Sequence, residues 1–96
     1  MVADDEGQGV ARRVVVVGRV QGVFFRDSCR RRARAAGVKG WVRNTAGGAL
    51  EAWFEGPETA VDELVSWCRS GPRQAGVEEV DVYEETPASH DEFRVR

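Results

Sequence analysis

Two segments of helical periodicity, each fenced by strand-like stretches, constrain this chain more than any other feature. "FRDSCRRRARAA" (Phe25 to Ala36) places Phe25, Cys29, Ala33 and Ala36 on one face at helical spacing. Arg30, Arg31 and Arg34 point elsewhere, and Gly37 is a natural stop. "GPETAVDELVSWCRSG" sets Val61, Leu64, Val65 and Cys68 in a second apolar stripe. Pro57 suits its first turn, and Glu58 favours the positive end of its dipole. Around these helices lie "RRVVVVGR" (Arg13 to Arg19), β-branched and apolar as a central strand is, and the hairpin pattern "VKGWVRN"–"TAGG"–"ALEAWFE". "GVEEVDVYEE" (Gly76 to Glu85) predicts a fourth strand and "FRVR" (Phe93 to Arg96) a short last one.

That order, strand–helix–strand–strand–helix–strand, predicts an α+β chain of ferredoxin-like, split βαβ type. It is βαββαβ plus a short C-terminal strand. Right-handed crossovers place both helices on one face of an antiparallel sheet. The first two strands then run parallel with the third between them, so Gly18 and Asn44 emerge at the same edge.

The 96 residues suit one domain, expected over 12–96. The start, "MVADDEGQGVA", is acidic and glycine-bearing, so 1–11 is read as a disordered tail and not as a signal peptide. No apolar run approaches the length that spans a bilayer, and the expected location is the cytoplasm. A net charge of −2 and a pI near 5.4 argue against a nucleic-acid partner. Cys29 and Cys68 fall on apolar helix positions and are expected as buried thiols, with a disulfide between the helices the lesser reading. Two cysteines and one histidine, far apart in sequence, show no metal-ligand spacing, and no cofactor is expected. The histidine, His90, is expected as a solvated loop residue.

"GRVQGVFFR" joins the first strand to the first helix and comprises Gly18, Arg19, Val20, Gln21, Gly22, Val23, Phe24, Phe25 and Arg26. A glycine-rich entry to a helix exposes unpaired amides, which curl into a concave anion site. Arg26 adds a planar fork that matches two phosphate oxygens. The segment reads as a cradle for a compact tetrahedral anion, with local attraction acting in an acidic chain. The plainer reading is a tight turn permitted by Gly18 and Gly22, with Arg26 paired to a surface carboxylate. Nucleotide-loop templates fail: no Gly-Lys-Ser/Thr follows, and the spacing is not GxGxxG.

"VVGRVQGVFFR" (Val16 to Arg26) resembles the phosphate-loop motif of the acylphosphatase family, and "GWVRNTAGG" (Gly40 to Gly48) resembles its second motif. "EGP" before the second helix and the terminal "FRVR" are similar too, and Leu50 departs from the family's usual valine. The resemblance runs from about Arg13 to the end. It implies metal-free hydrolysis of an acyl phosphate to carboxylate and inorganic phosphate by in-line attack of water. Arg26 would bind the phosphate, Asn44 would hold the water, and the loop from Gly18 to Phe25 would supply amides. Within the resemblance, such domains also occur inside larger proteins that handle carbamoyl phosphate; a chain ending at "FRVR" is expected as a free-standing enzyme, and as a monomer.

Two other readings stand beside it. A regulatory or carrier module could bind a phosphorylated metabolite without turning it over. An RNA-binding domain of the same topology could stack bases on Trp41, Trp53 and Tyr83, which share the parity facing away from the helices. Against the latter, Glu51 and Glu55 are outward neighbours that repel phosphates, and strand three lacks a basic-Gly-aromatic pattern.

Overall fold

The computed structural model describes residues 9–96. Its elements are β1 (Val10–Arg19), α1 (Phe25–Ala35), β2 (Lys39–Asn44), β3 (Leu50–Gly56), α2 (Glu58–Cys68), β4 (Gly76–Glu85) and β5 (Phe93–Val95). β1 begins at Val10 and pairs there with Gly56, so Val10 and Ala11 belong to the sheet and not to a tail. Residues 1–8, the remainder of that expected tail apart from Gly9, lie outside the described residues.

Strand order is β4-β1-β3-β2-β5. β3 pairs antiparallel with both β1 and β2, which makes those two parallel, as the split βαβ pattern predicts. The sheet is nevertheless mixed: β5 runs parallel to β2, through Gly40↔Phe93 and Val42↔Val95, where an antiparallel sheet was expected. Chain reach explains the correction. β4 ends at one edge of the sheet, and residues 86–92 carry the chain to the far edge at the same end. Crossing four strand spacings of ~4.8 Å needs about 19 Å. Seven residues span at most ~24 Å. The chain therefore arrives beside the start of β2 and can only run with it.

The helix-facing sheet positions, Val14, Val16, Val42, Leu50, Ala52, Phe54 and Phe93, are buried with Phe25, Cys29 and Ala33 of α1 and Val61, Leu64, Val65 and Cys68 of α2. Ala36 is the exception among the residues assigned to the α1 face; it follows the last helical residue and is exposed. Phe25 meets Trp67 edge-on at 5.1 Å and Phe54 stacks on Phe93 at 5.9 Å, tying α1 to α2 and the sheet centre to its edge. Both cysteines are free and buried. Burial pushes the Cys68 thiol up to about 12 and raises Cys29 well above the usual thiol range, with the neighbouring Cys68 adding to the Cys29 shift. Neither holds an appreciable thiolate at neutral pH, so neither acts as a nucleophile.

The outer sheet face is less open than its sequence parity suggests. Trp41 stacks on Trp53 at 6.4 Å, and the guanidinium of Arg96 lies 4.7 Å from the Trp41 ring. Arg13 lies 4.4 Å from the Tyr83 ring. Glu51 is paired with Arg13 (3.3 Å) and Arg43 (2.6 Å), which removes the free negative charge expected there. Glu55 is buried under the 86–92 crossing, where it accepts from the Trp53 indole (2.9 Å) and the Ala88 and His90 amides (2.9 and 3.2 Å). His90 is half-buried, edge-on to Trp53 at 5.8 Å, and is not the solvated residue expected.

Candidate active site

The loop between β1 and α1 takes its shape from a few residues. Gly18 sits at a bulge in the β1–β4 ladder with φ 131°, and a side chain there would run into the Gly76 carbonyl and the Glu78 amide of β4. Gly22 has open space around it but φ 76°, so its backbone conformation alone calls for glycine. Between and after them, Val20, Val23 and Phe25 are buried and fasten the loop to the core.

Phe24 precedes α1 with φ 65° and ψ 23°, a left-handed conformation that costs a bulky residue about 1–2 kcal/mol. With Gly22 also at positive φ, the main chain curls, and the first helical bond is Ser28 N–H to the Phe24 carbonyl (3.1 Å). Among the described residues, no main-chain acceptor takes the amides of Gln21 through Asp27. A curl of free N–H groups at the positive end of a helix is a cradle for an anion.

The second wall comes from the end of β2. Asn44 pairs with Leu50 across the ladder and shares the helix-facing parity of Val42. Its Oδ1 is buried and has no hydrogen-bond partner among the described residues. A buried carboxamide oxygen left unbonded costs about 1–3 kcal/mol, a penalty relieved when a donor arrives. Gln21 bolts the two walls together: its Nε2 donates to the carbonyls of Thr45 and Ala49, both at 2.9 Å. Thr45 and Ala49 in turn close the β2–β3 turn through a 2.9 Å amide–carbonyl bond.

A cleft of about 410 Å³ opens between these walls. Gly22, Phe24, Arg26 and Asn44 line it, joined by Asp27 and Arg30 of α1 and by the apolar Val20, Phe25 and Val95. Arg26 is exposed in the first turn of α1 and, among the described residues, makes no ion pair, so the surface-carboxylate reading of it fails. The structure thus brings Arg26, Asn44, Val20, Gly22, Phe24 and Phe25 to one cleft. Gly18 and Arg19 are held on β1 against β4 and do not line it, nor do Val23, which is core, and Gln21, whose side chain is the bolt.

Asp27, Arg30 and Val95 were not among the site residues expected from sequence. Asp27 accepts from Arg30 (2.9 Å) and Arg31 (3.2 Å), and its i,i+3 and i,i+4 spacing to them was the available signal. Val95 gave none, because its place depends on the parallel docking of β5. His90 lies on the outer face, and no histidine or cysteine lines the cleft.

Fold and cleft together define a class: an α+β sandwich whose β1–α1 loop sets free amides and an unpaired arginine in one cleft with an asparagine whose oxygen is unsatisfied. The family model described as Acylphosphatase matches residues 12–95. The chain is 65% identical over 77 residues to the acylphosphatase of Rubrobacter xylanophilus, covering 80% of this chain and 69% of that one. It is 58% identical over 78 residues to that of Chloroflexus aurantiacus, covering 81% and 85%. Among solved structures, an acylphosphatase from Coxiella burnetii superposes with a TM-score of 0.89 at 37% identity, covering 95% and 96% of the two chains. Full-length HypF in its phosphate- and nucleotide-bound form contains a similar unit, with a TM-score of 0.86 at 27% identity, covering 93% of this chain and 12% of that one. The chain belongs to the acylphosphatase family, and its activity is that family's hydrolysis.

Proposed function

We propose that the cleft carries out this hydrolysis with Arg26 and Asn44 as its working side chains. Asn44, whose Oδ1 is left without a partner, lines the same cleft as the unpaired Arg26, and this pairing carries the reading. The phosphoryl group of an acyl phosphate rests in the amide curl between Gln21 and Asp27, and Arg26 donates to two of its oxygens. Asn44 Oδ1 accepts a hydrogen bond from one water and holds it in line with phosphorus. Water oxygen bonds to phosphorus as the phosphorus–acyl oxygen bond breaks. The carboxylate departs with the bonding pair, and the proton lost by water goes to a phosphoryl oxygen.

Such a leaving group needs positioning and charge stabilisation more than a strong base. That fits a cleft walled by arginines, an asparagine and main-chain amides. Turnover is expected to persist in excess chelator. The protein is expected to work in the cytoplasm as a monomer and without nucleic acid, since arginines and His90 already pack against the outer-face rings.

Acetyl phosphate hydrolysis by wild type and Arg26→Ala, side by side, tests the reading. The variant is expected to lose on the order of 10²-fold or more in kcat/KM. Arg26→Lys should recover little, because a point charge lacks the fork. Near-wild-type turnover by Arg26→Ala would refute the assignment.

A further inference from the structure

Phe24 is costly where it stands, and the core does not use its side chain. Its backbone is left-handed at φ 65°, and it is 71% exposed while its neighbours Val23 and Phe25 are buried. Glycine would occupy this backbone without strain. What the residue does instead is line the cleft that Arg26 and Asn44 also line.

Resting on the hydrolysis proposed above, the geometry points to Phe24 as a specificity-determining residue: its ring is an apolar platform for the acyl group, and the site favours acyl phosphates with aryl or bulky alkyl groups. In-line attack sends the leaving group away from the water held by Asn44. Of the large apolar side chains that line the cleft, Phe24 is the most exposed, at 71% against 38% for Val95, and so the most available to meet it. The other cleft flank is unsuited to an anionic acyl tail. Arg30 is already held by Asp27 at 2.9 Å, so a second carboxylate would have to displace it. An aromatic or branched acyl group needs no such exchange and shields apolar area on both partners.

The test is the ratio of kcat/KM for benzoyl phosphate over acetyl phosphate, which cancels changes common to both substrates. Wild type is compared with Phe24→Ala, Phe24→Leu and Phe24→Gly, all of which retain the loop amide. The ratio is expected to fall roughly three- to tenfold in Phe24→Ala and Phe24→Gly, chiefly through KM, with Phe24→Leu between. Phe24→Gly should also melt at a higher temperature than wild type, because the left-handed strain is relieved; selectivity and folding then move in opposite directions. An unchanged ratio in Phe24→Gly would overturn the proposal. So would a wild-type preference for succinyl over benzoyl phosphate that Arg30→Gln abolishes. Failure of wild type to hydrolyse acetyl phosphate at all would instead refute the hydrolytic reading beneath it.

Discussion

In the proposed hydrolysis, Arg26 and Asn44 divide the work between charge and placement. Arg26 is exposed and unpaired among the described residues, and on that proposal its fork would act on ground state and transition state alike. Asn44 would touch the attacker, whose position matters only as the reaction proceeds. Asn44→Ala is therefore expected to lower kcat by about 10²-fold while leaving the affinity for inorganic phosphate within a few-fold of wild type. Competitive inhibition by phosphate checks this. Phosphate affinity that vanishes with Asn44 would mean the two residues do not divide the work in this way. Both residues were legible from sequence, but by different routes. The glycine-flanked arginine carries its own chemistry, whereas the asparagine became a candidate only through topology and family resemblance. Phe24 was legible as part of the loop; its left-handed backbone was not, since nothing in "VFFR" distinguishes the strained phenylalanine from the buried one.

The site also depends on how its elements are joined, and there Gln21 is the principal tie. Its amide reaches from the β1–α1 loop to two carbonyls of the β2–β3 turn. Removing it strips both carbonyls of a donor and frees the loop from the asparagine's strand. Gln21→Ala is expected to destabilise the fold by about 1–3 kcal/mol and to lower kcat/KM by about tenfold, since small misplacements are costly in in-line chemistry. Chemical denaturation and steady-state kinetics measure both. Full activity in a destabilised variant would assign Gln21 to the fold alone. Sequence pattern located every element to within a few residues, because each has clear periodicity and clear punctuation. It missed the direction of β5, because three residues carry no register signal and partner choice follows from the reach of 86–92.

For the whole molecule, the end opposite the cleft is closed by one carboxylate. Burial alone would raise the Glu55 carboxyl, but hydrogen bonds from the Ala88, Trp53, His90 and Ser89 groups outweigh it, and its pKa falls below the ordinary 4.5. The folded state thus favours the ionised form. Its stabilisation is complete above pH 4.5 and drains away as pH falls through that value and then through the lower folded one. Wild type should therefore lose stability on acidification more steeply than Glu55→Gln, as urea denaturation from pH 7 to 3 would reveal. Parallel acid limbs would exclude Glu55 as a source of acid sensitivity. Parity marked Glu55 as outward but could not reveal its burial, which comes from a crossing segment with no periodic signal.

On the proposed mechanism, one curl of main-chain donors, with Arg26, grips the phosphoryl group beside Asn44. Titrating the ¹⁵N-labelled protein with inorganic phosphate, while following backbone amides and the Arg26 and Asn44 side-chain signals, tests it most directly. The largest shifts are predicted at Gln21 to Asp27, at Arg26 Nε and at the Asn44 carboxamide. Shifts centred on the Arg31–Arg34 stretch or the tryptophan face, with the loop silent, would contradict it.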